Sequence, residues 1–201
     1  MKLFYAPGTI ALASLTVLEE VGADYEPARV DFASNQQRGS DYLALNPKGR
    51  VPALVTDDGI LTETPAILSY LAGLHGLKPS DPFKAAQVEE WNAYLCSTAH
   101  VSHAHRMRGY RWSDDPVIIE GMKLKVAENM TAHFAYLEQR FVGPFVFGET
   151  FTTSDAYTFT LAGWLEKDGA DIRNFPKIEA HFALMNARPS VKRALAITTS
   201  S

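Results

Sequence analysis

The stretch Asn46-Pro47-Lys48-Gly49-Arg50-Val51-Pro52-Ala53-Leu54-Val55, continued by Asp57-Asp58-Gly59 and by Leu61-Thr62-Glu63-Thr64-Pro65-Ala66-Ile67, decides the reading of this chain. It spells a loop, a short strand entered by a Val-Pro pair, a tight turn, a second strand and a helix start. Val51-Pro52 ahead of a strand is a candidate cis peptide, because cis bonds are nearly confined to X-Pro. In that geometry Val51 offers its N–H and C=O outward, as an added strand would to an extended peptide. Glu63-Thr64 fall at a helix N-terminus, where backbone N–H groups and the helix dipole attract a carboxylate. Together these features describe a cradle for a small peptide.

Around this stretch, residues 1–75 alternate strand and helix. Lys2-Leu3-Phe4-Tyr5 is a strand and Ala6-Pro7-Gly8-Thr9 a turn. Ala11–Val21 carries Leu12, Leu15 and Leu18 at helical spacing and ends at Gly22. Tyr25–Asp31 reads as a second strand, and Ser40–Leu45 as a short helix broken by Asn46-Pro47. Pro52–Thr56 and Ile60–Leu61 form a hairpin around Asp57-Asp58-Gly59. Thr64–Leu74 is a helix with Ile67, Leu68 and Leu71 inward. The order βαβαββα is that of a thioredoxin-like layer.

Residues 76–84, rich in Gly, Pro and Ser, read as a linker. Residues 85–201 are helical in pattern: one long helix from about Phe83 to Tyr110, and another from Pro116 to Phe141. Thr152-Thr153-Ser154-Asp155 is a capping box with Asp in place of the usual Glu, opening a buried helix over Ala156–Glu166. A helix to Ala187 follows Asn174-Phe175-Pro176, and Pro189 starts a last short one before a polar Thr198–Ser201 tail. The fold class is therefore α/β plus all-α: a thioredoxin-like domain followed by a helical bundle.

The bulk numbers exclude several classes. The chain has 201 residues, 46% hydrophobic and 21% charged, which is the balance of a soluble globular protein. A net charge of -4 gives no reason to expect nucleic acid or an anionic membrane as a partner. No apolar run is long enough to span a bilayer, and the opening residues show no signal-peptide pattern. A lone cysteine, Cys96, cannot form an internal disulfide, so a reducing cytoplasm is the expected home. Cys96 is expected to be buried. No Cys/His spacing resembles a zinc site.

Three motifs in this order and spacing resemble the cytosolic glutathione transferase family across essentially the whole chain. They are Val51-Pro52 before a strand, Glu63-Thr64 at a helix start (Glu-Ser in most members), and Thr152–Asp155 capping a buried helix. The opening Met1–Thr9 is similar to the bacterial beta class in particular, as is His100, ten residues into a helical segment beginning at Trp91. The resemblance implies a glutathione site and a homodimer. Val51, with Arg50 and Pro52 beside it, would pair with the cysteinyl residue. Glu63 would bind the α-ammonium group, and Thr64 the γ-glutamyl carboxylate. Asn35, Gln36 or Arg38 would face the glycyl end.

The departure lies at the reacting sulfur. Beta-class members typically carry Cys followed by Ser where this chain has Ile10 and Ala11. A mixed disulfide through a protein thiol is thereby unavailable at this position. The bound thiol itself would have to be activated. A free thiol of pKa ~8.5 is only a few per cent ionised at pH 7. Lowering it by ~2 units needs under ~3 kcal/mol of thiolate stabilisation. Thr9 with the Ile10 and Ala11 N–H groups, or Tyr5, are the candidate donors.

His100-Val101-Ser102-His103-Ala104-His105-Arg106 places His100 and His103 one turn apart, with Arg106 extending their face. No carboxylate or third ligand is evident nearby in the sequence, so no metal is expected. The resemblance puts this helix beside the sulfur, with His100 as the beta-class cleft histidine and His103 and Arg106 facing an electrophile. The expected function is transfer of glutathione to small electrophiles in detoxification, with peroxide reduction as a second chemistry. No tightly bound cofactor is expected, and glutathione is a cosubstrate. The alternatives are a non-catalytic glutathione or peptide binder, and a glutathione-dependent isomerase or dehalogenase.

Overall fold

A computed structural model describes residues 1–199. Two compact units are present: Met1–Ala85 together with the described residues from Asn186 onward, and Ala86–Met185. Within the described residues, no helix is long and apolar enough to cross a membrane.

The first unit is built on β1 (Lys2–Tyr5), α1 (Ala11–Val21), β2 (Glu26–Arg29), α2 (Ser40–Leu45), β3 (Ala53–Thr56), β4 (Gly59–Thr62) and α3 (Thr64–Leu74). The sheet order is β2-β1-β3-β4. β1 and β2 run parallel, with α1 as their crossover, and the two remaining ladders are antiparallel. Period-two alternation sends Leu3 and Tyr5 into the core. The lower side chains of α1 and α3, Leu15, Leu18, Ile67, Leu68 and Leu71, are fully buried. Gly22 closes α1 in the left-handed region at φ 61, its N–H returning to Leu18. β2 is shorter than expected, although the Val30 N–H still reaches the Tyr5 carbonyl at 2.7 Å. Asp57 and Asp58 are the two-residue hairpin between Thr56 and Gly59.

The final helix changes the grouping read from the sequence. α11 (Pro189–Thr199) packs in the first unit, not with the preceding helices. Its residues Val191 and Ala194 are buried. Arg188, just ahead of it, holds Glu20 through two contacts, of 2.8 and 2.5 Å, and Ser190 adds a third at 2.5 Å. Arg193 reaches Glu19 at 2.7 Å. Thr198 and Thr199 belong to this helix and not to a tail. Ser200 and Ser201, the rest of that expected tail, lie outside the described residues.

In the second unit the long helix is interrupted. α4 (Pro82–Tyr94) passes into a π-helical turn, Leu95–Ala99, and then into α5 (His100–Arg108). A π turn takes in extra residues and so shifts the faces that follow, an effect invisible in apolar spacing. The next expected helix is also two. α6 (Pro116–Leu124) buries none of its residues, whereas α7 (Val126–Arg140) buries Val126, Met130, Phe134 and Leu137. The buried stripe begins only after the join at Lys125. α8 (Thr153–Ala162) is buried along its whole length, and α9 (Leu165–Asp168) and α10 (Pro176–Ala187) follow.

α8 is anchored at its N-terminus by Asp155. That buried carboxylate accepts from the Thr152 N–H at 2.7 Å, the Thr152 hydroxyl at 3.0 Å, the Val146 N–H at 2.8 Å and His181 Nε2 at 3.1 Å. Trp91 Nε1 donates to Thr158 on the same helix at 2.8 Å. The expected capping box is present, with more partners than local spacing shows.

Candidate active site

Strand register gathers the sequence-predicted cradle at one end of the sheet. Ala53 pairs with Thr62 in the antiparallel β3–β4 ladder, so Pro52 and Val51 continue opposite Glu63 and Thr64. Ala53 also pairs with Phe4, which brings the turn after β1 to the same end. β2 runs parallel to β1, with Tyr5 beside Arg29, so the segment carrying Asn35, Gln36 and Arg38 leaves from that end too. Val51-Pro52 is a cis peptide. The ladder to β1 starts at Ala53, which leaves Val51 outside it.

The loop that presents Val51 is held by residues the sequence reading passed over. The buried Asn46 side chain donates to the Arg50 carbonyl at 2.7 Å and accepts from the Lys48 N–H at 3.2 Å. The Tyr42 hydroxyl donates to the same Arg50 carbonyl at 2.6 Å. Burial pushes the Tyr42 phenol up to about 12, so it stays a donor through the neutral range. Gly49 turns the chain at φ +61, and a Cβ there would stand 3.0 Å from the Gln37 carbonyl. Arg50 contributes through its backbone, while its side chain is exposed.

Glu63 adopts φ 72, ψ 121, a conformation uncommon for a side-chain-bearing residue, at the entry to α3. No side chain caps this helix. The Ile67 N–H returns to Glu63, and Pro65 has no N–H. The amides of Thr64 and Ala66 are therefore helix-terminal donors. Thr64 is 5% exposed. The Glu63 carboxylate meets Lys48 Nζ at 2.5 Å, and the same ammonium donates to the Thr62 hydroxyl at 2.6 Å. Lys48 was absent from the sequence-derived site, although it lies two residues before Arg50.

The expected sulfur donors separate. The Tyr5 side chain is buried, and its hydroxyl donates to the Ile197 carbonyl on α11 at 3.0 Å. Tyr5 is thereby corrected to a core aromatic with its proton committed. The Thr9 hydroxyl donates to the Ala6 carbonyl at 2.7 Å and accepts from the Ala11 N–H at 3.4 Å. The Leu12 and Ala13 amides return to the Thr9 and Ile10 carbonyls. Among the described residues, this leaves the Ile10 amide as the unpaired donor of the first turn of α1. The Ile10 side chain is buried.

The histidine-rich helix is organised by a residue far away in sequence. Asp168, with a fully buried side chain, accepts from His103 Nδ1 at 2.7 and 2.9 Å. Arg106 Nε lies 2.9 Å from the same carboxylate as an ion pair without hydrogen-bond alignment. His103 stacks on Trp164 with ring centroids 4.1 Å apart, and His100 stands 5.3 Å from that ring. The carboxylate missing from the sequence reading is thus present. It engages the His103 and Arg106 groups expected to face an electrophile. No group of three or more His, Cys, Asp or Glu among the described residues could hold a metal ion. Cys96 lies in the π turn and is partly exposed, not buried.

A groove of about 240 Å³ on the first unit is lined by Phe4, Gln36, Gly39, Ser40, Asp41, Tyr42 and Leu45. It holds none of Val51, Glu63 or Thr64, so this groove is not the cradle.

Comparison with known proteins defines the class. Residues 1–73 match the family model for the glutathione S-transferase N-terminal domain, and residues 110–189 that for its C-terminal domain. The glutathione S-transferase GstA of Escherichia coli O157:H7 is 34% identical over 202 residues, covering 97% of each chain. A glutathione transferase homologue from Sulfitobacter, solved with bound glutathione, superposes with a TM-score of 0.93 at 46% identity. That match covers 96% of this chain and 95% of the other. The bacterial beta class glutathione S-transferase of Sphingomonas chungbukensis superposes at 0.85 with 30% identity, covering 99% of both chains. This chain belongs to the glutathione S-transferase family. Both the expected fold and the expected enzyme class hold.

Proposed function

We propose that this protein binds glutathione at the cis-Pro end of its sheet and adds the glutathione thiolate to small electrophiles. The observation that carries this reading is the register setting Glu63-Thr64 opposite Pro52-Val51. An extended γ-glutamyl-cysteinyl-glycine then meets complementary groups in order. Glu63 takes the α-ammonium, the amides and hydroxyl at the start of α3 take the α-carboxylate, and the Val51 backbone takes the cysteinyl unit. Asn35, Gln36 or Arg38 would meet the glycyl end.

The sulfur would lie toward the first turn of α1. There the Ile10 amide, the helix dipole and a rotated Thr9 hydroxyl favour the thiolate. The protein contributes orientation and thiol activation, without a covalent enzyme intermediate. His100 is proposed as a catalytic residue on its place in the family pattern. His103 and Arg106 are proposed to line the electrophile cleft, both held by the buried Asp168. A homodimer working in the cytoplasm and acting in detoxification completes the proposal.

Calorimetric titration with glutathione, beside a conjugation assay over pH, tests it. The reading requires both binding and a rate above buffer. Ile10 motivates a second reading, a binder that does not turn over. Tight binding with no rate above buffer would establish that reading instead. Turnover without net consumption of glutathione would identify an isomerase or dehalogenase. Thr9→Val should leave glutathione affinity nearly unchanged. Losing a donor to the thiolate raises the thiol pKa, so the rate profile should move to higher pH. An unmoved profile removes Thr9 from the chemistry.

A further inference from the structure

The Glu63 carboxylate, read above as the receptor for a ligand ammonium, already meets an ammonium of the protein's own. Lys48 Nζ donates to it at 2.5 Å and to the Thr62 hydroxyl at 2.6 Å. Both ends of the pair are open to a ligand, the side chains being 42% exposed at Lys48 and 54% at Glu63. The backbone on either side of the pair is held. Glu63 is pinned at φ 72 at the start of α3. Lys48 rides on a loop whose backbone is tied down by Asn46 and by the Gly49 turn.

We propose that Lys48 is a specificity-determining residue of this site, an internal cation that stands in for the ligand's α-ammonium at Glu63. This inference rests on the proposal that glutathione occupies the cradle. When a ligand brings its own ammonium, that group replaces Lys48 at the carboxylate. Lys48 keeps the Thr62 hydroxyl as a partner, since an ammonium carries three donors. The loop need not move, because the bonds that hold Val51 in place come from Asn46 and Tyr42 through the Arg50 carbonyl. When a ligand lacks the ammonium, Lys48 stays and neutralises Glu63. The site then tolerates the defective ligand instead of leaving a carboxylate unpaired beside it. Lys48 therefore compresses the discrimination between ligands with and without the α-amino group.

The consequence is a ratio, which cancels any contact Lys48 makes equally with both ligands. Calorimetry would measure the affinity of the full chain for glutathione and for glutaryl-cysteinyl-glycine, the same peptide with hydrogen in place of the α-amino group. In Lys48→Met the ratio of the two affinities should rise about two- to five-fold over the unsubstituted protein, the range of an exposed ion pair. Lys48→Arg should keep the original ratio. Thermal melts confirm that the variants are folded, as expected for an exposed position. A ratio unchanged or lowered in Lys48→Met overturns the proposal. Glu63→Gln separates this from a failure of the underlying reading. If Glu63→Gln leaves the discrimination intact, the ammonium does not meet Glu63, and both readings fall. If Glu63→Gln abolishes it while Lys48→Met changes nothing, the role of Lys48 alone is overturned.

Discussion

Two helices in this protein begin with a threonine and an acid, and the two starts do opposite work. At α8 the acid follows Thr152 by three residues, so Asp155 folds back on its own helix. It accepts four hydrogen bonds in a site closed to solvent. At α3 the acid precedes the threonine by one residue. Glu63 cannot reach back from there, its backbone takes a positive φ, and the helix is left uncapped by any side chain. The first arrangement turns a buried carboxylate inward to hold the fold together. The second leaves helix-terminal backbone amides and an exposed carboxylate, which a zwitterionic ligand would match. A change of spacing by a few residues separates a structural cap from a binding site.

The sharpest way to break this contrast is to truncate both acids. Asp155→Ala leaves His181 and the Thr152 and Val146 amides without their buried acceptor. It should cost about 3 kcal/mol of stability or more in urea unfolding. Glu63→Ala should change stability by about 1 kcal/mol or less while weakening glutathione binding roughly tenfold. Equal losses of stability at the two positions, or unchanged affinity in Glu63→Ala, would erase the distinction.

Tyr42→Phe sharpens the binding side. Removing one of the two donors to the Arg50 carbonyl should cost about 1 kcal/mol, with a few-fold loss of glutathione affinity as the Val51 loop loosens. An unchanged affinity would show that Asn46 alone positions the loop.

The smallest expected effect is electrostatic and belongs to the structural side. His133 bridges the Tyr94 hydroxyl and the Ser102 hydroxyl, each at 2.9 Å. Burial holds its imidazole below the ordinary value. The unfolded chain therefore takes up this proton at higher pH than the folded one. The associated stability is complete above about pH 6.5 and is lost as pH falls below it. Thermal melts at pH 7.5 and 5.5 should show a smaller difference in His133→Gln than in the unsubstituted protein.

Legibility differed between the units for a physical reason. In the first, every element is short and punctuated by Gly or Pro, so Gly22, Asn46-Pro47 and Asp57-Asp58-Gly59 mark boundaries by local backbone preference. In the second, helix follows helix, and apolar spacing reports neither the π turn at Leu95–Ala99 nor the break at Lys125. The site shows the same division. Val51-Pro52 and Glu63-Thr64 are recognisable because their backbone geometry is encoded within a few residues. The partners of Tyr5 and His103, Ile197 and Asp168, are far along the chain and leave no spacing signal.

By itself, then, the sequence determined the order of elements in the first unit, the cis-Pro ledge and the acid-threonine helix start. These rest on steric preferences acting over a few residues. Only the tertiary structure decided which side chains have protons or charges left to offer. It commits the Tyr5 hydroxyl to the last helix and His103 and Arg106 to a buried aspartate, and it sets an exposed Lys48 against Glu63. A donor's availability depends on what the fold brings within about 3 Å of it, and that distance is set by long-range packing and not by neighbours in the chain.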